Sequence, residues 1–260
     1  MNDVYKLYQG SSPLLVSVPH TGTQIPADLQ VLFTPKALQV ADTDWHLDVL
    51  YDFVKEQGVS LLVPQYSRYV VDLNRPPEDT AMYPGANNTG LCPITDFEGT
   101  LIYQRGCEPD AAQILQRRLQ YWLPYHTALE AELDRIKSVH GFAILLDGHS
   151  IKSELPWLFD GNLPDLNMGT ANGSSCSRAL RDSVGQLLAH QNRFSYVMDG
   201  RFKGGYITRR YGQPSKQIHA VQLEMCWHTY MPELPPYEID PQRQPKITAF
   251  LKQLTQLLAT

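Results

Sequence analysis

Three apolar runs in this chain end in side chains that can hold a metal ion or move a proton. LLVSVPH closes on His20, AILLDGH on His149 and AVQLE on Glu224. Two imidazoles and a carboxylate, with a fourth position left for water, form a common catalytic zinc set. The ion acidifies that water and polarises a carbonyl. A second carboxylate, kept off the ion, can take the water's proton and pass it to a leaving nitrogen. His20 and His149 are the expected imidazole ligands and Glu224 the expected base. The third ligand is expected in ADTDWHLD, where Asp44 is the choice and Asp42 its competitor. Each residue also has a plainer use. The histidines can be hydrogen-bonded loop residues, the aspartate a helix N-cap, and the glutamate a buried partner of an arginine. The repetition at three run ends is what points to a site. Zn²⁺ suits this donor set, as do Co²⁺, Fe²⁺ and Mn²⁺.

Basic residues give the site a direction. Asn74 and Arg75 close the segment SRYVVDLNR, and GRFKGGYITRRYG carries Arg201, Lys203, Arg209 and Arg210 around a glycine pair. Guanidinium forks grip carboxylates with two parallel hydrogen bonds, so several in one cleft of an acidic protein point to a small anionic substrate. Asn74, Arg75, Lys203 and Arg209 are the expected substrate contacts, with Arg75 also close to the chemistry. GHS at 148–150 is not the GxSxG elbow of a serine hydrolase.

Short β-rich runs alternate with helical patterns, which predicts an α/β domain around a mostly parallel sheet. LLVSV (14–18) reads as the first strand, followed by VSLLVPQY (59–66), SRYVVDLNR (67–75), GFAILLDGHS (141–150), FSYVMDG (194–200) and HAVQLEM (219–225). A helix is expected from near Asp42–Asp44, with an apolar stripe of Leu47, Leu50, Tyr51 and Val54 and a cap at Gly58. Further helices are expected over 108–141, divided at Pro124, over 176–191, and at the C-terminal end. Residues 76–100 form a long Pro/Gly/Asn-rich loop that could act as a lid. In open parallel sheets ligands bind beyond the carboxyl ends of the strands. If the three apolar runs are parallel neighbours, His20, His149 and Glu224 share one crevice.

Composition narrows the class. The 260 residues are 43% apolar and 19% charged, with a net charge of −5 and no basic run. This is the profile of an ordinary globular chain without a nucleic-acid or anionic-membrane surface. The N-terminus has no secretory pattern and no apolar stretch approaches membrane-spanning length. Cys92, Cys107, Cys176 and Cys226 form no CxxC pair, as expected of reduced thiols in a cytoplasm. We expect one catalytic domain over residues 1–260, located in the cytoplasm; the oligomeric state is left open.

PHTGTQIP, DTDWHLD, SRYVVDLNRP, LLDGHS, FKGGYITRRYG and HAVQLEM, in this order, resemble the N-formylglutamate amidohydrolase (deformylase) family. The resemblance runs from about Leu14 to Trp227. That family is distantly similar to the zinc carboxypeptidases and to the succinylglutamate desuccinylase and aspartoacylase group. The resemblance implies a carboxypeptidase-like three-layer α/β fold with a central mixed sheet. It also implies hydrolysis of N-formyl-L-glutamate to formate and L-glutamate in histidine degradation. On it, His20 and His149 match the metal histidines, Glu224 the general base, and Asn74-Arg75 a pair that grips a substrate carboxylate. The wider group has His-x-x-Glu as a ligand pair, whereas Thr23 stands in the place of that glutamate. The third ligand must then come from elsewhere, which returns to Asp44. Two alternatives remain: a metal amidase for another N-acyl amino acid or small peptide, and a non-catalytic protein that binds acidic amino acids.

Overall fold

Alternation along the apolar strands sorts their side chains onto the two faces of one sheet. The computed structural model describes residues 3–80 and 88–260. Among these, the strands are β1 (Tyr5–Tyr8), β2 (Leu14–Ser17), β3 (Ser60–Pro64), β4 (Ala143–Ile151), β5 (Leu166–Gly169), β6 (Tyr196–Met198) and β7 (Ile218–Cys226). They lie in the order β1-β3-β2-β4-β7-β5-β6. The central β3-β2-β4-β7 group is parallel, while β1 and β5 run antiparallel to β3 and β7. This is the expected mixed, mostly parallel sheet.

The helices are α1 (Ala27–Gln30), α2 (Leu47–Leu50), α3 (Ala111–Arg117), α4 (Leu123–His140), α5 (Arg178–His190), α6 (Tyr206–Tyr211) and α7 (Gln244–Leu258). Leu14, Val16, Leu146, Val221 and Leu223 face one way and pack with residues of α2, α5 and α7. Leu15, Leu62, Leu145 and Ala220 face the other way, against α4. The layers are therefore helix, sheet, helix. The crossover from β2 to β3 carries α2 over the first face, and that from β3 to β4 carries α4 over the second. With right-handed crossovers, changing face reverses the direction in which strands are added. β3 and β4 thus flank β2 on opposite sides, and the sheet opens a crevice at the carboxyl ends of β2 and β4.

Several elements differ from the sequence expectations. SRYVVDLNR is not a strand but a series of turns after β3, with Val70 N–H donating to the Ser67 carbonyl at 2.9 Å. Its valines are buried in the α4-side core, so apolar, β-branched character here reflects burial in a turn. The helix expected from Asp42–Asp44 starts only at Leu47 and gives way to a 3₁₀ turn at Asp52–Lys55. His46 precedes it in the left-handed region, at φ 62°. β1 and β5 were not expected. β1 is a short half-exposed edge strand, and β5 consists of only four residues, LNMG. Pro124 divides the long helical stretch: it sits in the first turn of α4, behind a π-helical turn at Arg118–Trp122. Residues 81–87 of the proposed lid lie outside the described residues. No helix among the described residues is long and apolar enough to cross a membrane.

Candidate active site

The parallel register builds the site. His149 and Glu224 are partners across β4 and β7, and so are Asp147 and Gln222 two residues earlier. The period of two puts all four side chains on the α4 side of the sheet. His20 follows β2 in the PHTGT turn. A β-carbon at Gly22 would lie 2.2 Å from the Tyr66 carbonyl oxygen, so only glycine lets this turn close onto the segment after β3. Asp44 is tied to the same turn, its N–H donating to the His20 carbonyl at 3.0 Å.

His20, Asp44 and His149 are buried, and each offers a donor atom within 4.8 Å of the others. Asp44 Oδ2 lies 3.0 Å from His149 Nδ1 and 3.6 Å from His20 Nδ1. The opposite ring nitrogens meet other carboxylates. His20 Nε2 is 2.8 Å from Asp72 Oδ1, and His149 Nε2 is 2.9 Å from Asp147 Oδ1. A proton on each Nε2 satisfies those carboxylates; the Nδ1 atoms face Asp44, where each would hold a hydrogen-bonding proton or, with an ion bound, offer it a lone pair. Asp72 also accepts from Arg68 Nη2 at 2.5 Å and from the Asn74 N–H at 2.9 Å; Asp147 accepts from the Thr208 hydroxyl at 3.0 Å.

The electrostatics suit a cation. Burial alone would raise the Asp44 pKa, but its hydrogen bonds to His149 and His20 hold it well below the usual carboxylate range. Burial alone would lower the His149 pKa, but the charges and hydrogen bonds of Asp147 and Asp44 hold it well above the ordinary histidine value. Carboxylates that retain protons this firmly on a nearby imidazole would equally favour a divalent ion in the protons' place. With two nitrogens and one oxygen donor, the residues present fit a metal of the zinc class.

Glu224 borders this group, and no hydrogen bond reaches its carboxyl from the described side chains or backbone. Burial, with lesser contributions from the Asp44 and Asp147 charges, pushes its pKa up to about 8. All four residues line a cavity of about 700 Å³, open mouth included, together with Arg68, Arg75 and Arg201.

A family model for N-formylglutamate amidohydrolase matches residues 12–231. The chain belongs to that family. It is 44% identical to the N-formylglutamate deformylase of Pseudomonas putida over 99% of this chain and 96% of that one. It is 43% identical to the N-formylglutamate deformylase of Pseudomonas aeruginosa, over 99% and 97%. The crystal structure of N-formylglutamate amidohydrolase from Ralstonia eutropha JMP134 superposes with a TM-score of 0.83 at 25% identity, covering 98% of this chain and 97% of that one.

In this family member the structure gathers His20, Asp44, His149, Glu224, Asn74 and Arg75 around one cavity. Asn74 Oδ1 accepts from the Ile207 N–H at 2.8 Å, and its Nδ2 lies 3.1 Å from His149 Nε2. Arg75 is held by the Thr89 carbonyl and hydroxyl, at 2.9 Å each. Asp42 lies outside the donor group. Its carboxylate accepts from the Phe97 N–H at 2.8 Å, and burial pushes its pKa up to about 7. Lys203 and Arg209 are not in the cavity lining; Arg209 Nε donates to the Gly204 carbonyl at 2.8 Å instead. Thr23 is exposed.

Four residues join the site without having been singled out for it: Arg68, Asp72, Asp147 and Arg201. Asp147 could have been found, because an acid two positions before a strand-end histidine shares its face. Arg68 and Asp72 were hidden by reading their segment as a strand. Arg201 was one of four basic residues around Gly204-Gly205, and only the path of that segment separates them.

Proposed function

We propose that this chain hydrolyses N-formyl-L-glutamate to formate and L-glutamate, using a divalent metal held by His20, Asp44 and His149, with zinc the first candidate. The observation that carries this reading is the buried group of two imidazoles and a carboxylate beside Glu224, in an arginine-lined cavity. The names of the two Pseudomonas relatives support the same substrate.

When bound, such an ion would supply Lewis acidity for the formyl oxygen and a water of lowered pKa. Glu224 accepts the proton of the attacking water as the water's oxygen bonds to the formyl carbon. It then returns that proton to the amide nitrogen as the C–N bond breaks, leaving formate and the free amine. Its raised pKa suits it to hold the proton between the two steps, and a neighbouring cation favours its ionised form at the start. Arg75 and Asn74 hold a substrate carboxylate. The buried Arg68 guanidinium, 4.0 Å from Asp44 Oδ1, faces the negative charge that develops on the carbonyl oxygen. We read residues 1–260 as one catalytic domain acting in the cytoplasm, supported by four unpaired cysteines.

The test is to strip metal with a chelator and restore Zn²⁺, Co²⁺, Fe²⁺ or Mn²⁺ singly. Amide hydrolysis is then followed on N-formyl-, N-acetyl- and N-succinylglutamate and on N-formylaspartate. Loss and recovery of turnover, highest for N-formylglutamate, is expected. Preference for a bulky acyl group would replace this reading with a broader N-acyl amidase. A protein that takes up no metal and releases no formate would be a binding protein.

A further inference from the structure

The proposed substrate carries two carboxylates at unequal distances from the bond to be cut. The α-carboxylate shares a carbon with the amide nitrogen; the other lies two methylenes further out. A cavity for this molecule needs one cation close to the donor group and a second beyond an apolar stretch. Three arginines line it. Arg68 stands at the donor group itself, 4.0 Å from Asp44 Oδ1 and bonded to Asp72, where it serves the reacting carbonyl. Arg75 Nη1 lies 3.9 Å from Asp72 Oδ2, and Asp72 Oδ1 meets His20, so Arg75 belongs to the near position.

We propose that Arg201 is the specificity residue for the distal, side-chain carboxylate. This rests on the hydrolysis of N-formylglutamate proposed above and names a part of that site. Arg75 enters from the segment after β3 and Arg201 from the segment after β6, strands on opposite sides of the β2-β4-β7 centre. On the Arg201 side the lining turns apolar, with Ile151, Leu158, Phe159 and Phe202. These four belong to a small apolar cluster separate from both sheet-face cores, a wall suited to two methylenes. Arg201 Nη2 donates to the Leu158 carbonyl at 2.9 Å, which fixes the guanidinium against this wall.

The two positions are also rigidly joined. Gly205, four residues after Arg201, packs so closely on Asn74 that a β-carbon there would lie 2.3 Å from Asn74 Nδ2. The Gly205 N–H donates to Gln222 Oε1 at 2.7 Å, two residues before Glu224 on β7. The spacing between near and distal positions is thereby set by backbone, which selects glutamate over aspartate.

The experiment compares the metal-loaded wild type with R201K, R201M and R75M on N-formylglutamate and on its neutral isostere N-formylglutamine. In R201M, kcat/KM for N-formylglutamate should fall roughly 10- to 100-fold, mostly through KM, as expected on losing a charge-assisted pair. Activity on N-formylglutamine should change only a few-fold, so the wild-type preference for the acid collapses. R201K should recover part of the preference. R75M should lower both substrates alike. An unchanged glutamate-to-glutamine ratio in R201M overturns the proposal. Calorimetric binding of L-glutamate and L-glutamine gives the same ratio without turnover. Arg201-dependent binding preference in a protein that releases no formate would sink the reaction alone, whereas turnover with an unchanged ratio would sink the Arg201 assignment alone. If R201M does not fold, the ratio is read from R201K, where equality with wild type in both kinetics and binding counts against the proposal.

Discussion

The strand rim and the mouth of the cavity are built by different means. At the rim, His149 and Glu224 owe their positions to the β4–β7 register, and the imidazoles are each held from both sides by carboxylates. At the mouth, Leu158, Phe159 and Phe202 are partly buried side chains on connecting segments, packed into a small cluster of their own. Few buried contacts mean low local stability, so these apolar side chains can yield while the rim, and the Gly205–Asn74 contact that spaces the two substrate positions, stay fixed. Chemistry that tolerates little displacement sits on paired strands, and recognition sits on loops.

This division can be broken or sharpened by experiment. The largest effect is expected from E224Q, which should lower kcat by about a thousandfold through loss of the proton carrier. Metal content measured by elemental analysis should stay at the wild-type level, and a variant with wild-type kcat would refute the base assignment. D147N comes next. By weakening the hold on the His149 ring it should cost roughly 10- to 100-fold in metal affinity, read by chelator competition. Unchanged affinity would mean that the rim does not depend on the outer carboxylate.

A third prediction concerns acid stability away from the cation site. His126 of α4 is buried, bonded to the Leu73 carbonyl and the Tyr211 hydroxyl, and burial depresses its pKa to about 3. Its native pKa lies below the unfolded value, so its contribution is complete above about pH 6.5 and is lost as pH falls toward 3. H126Q should flatten the decline of stability between pH 6 and 4 by about 1 kcal/mol per pH unit, measured by urea unfolding. Parallel curves for variant and wild type would exclude it. The smallest effect belongs to F159A, with KM raised a few-fold, stability lowered by under about 1 kcal/mol, and metal affinity unchanged. If F159A loosened the metal as much as D147N, the contrast between rim and mouth would fail.

Much of the rim was legible because strand periodicity and apolar runs are local signals. LLVSV, AILLDG and AVQLE announce buried strands, and the residues closing each run land on the crevice. The need for a carboxylate near the first histidine singled out Asp44, which the fold brings beside both imidazoles. The mouth was less legible, since it depends on where connections turn. In SRYVVDLNR, two valines buried in a turn give the same signal as a strand interior, and this concealed the Arg68–Asp72 pair. Around Gly204-Gly205, sequence alone could not say which basic residue faces the cavity. β5 was invisible for a simpler reason, since LNMG has no β-branched or aromatic residue and no run of apolar ones.

The order in which strands are added to this sheet has a temporal side. Asp44 and His149 meet across 105 positions of chain, and His20 lies further back still. At a synthesis rate of about 5–20 residues per second, several seconds separate their appearance. A nascent chain therefore offers an incoming cation at most a partial grip, and capture must follow assembly of β2 against β4. Ion uptake would then report completed sheet formation rather than guide it.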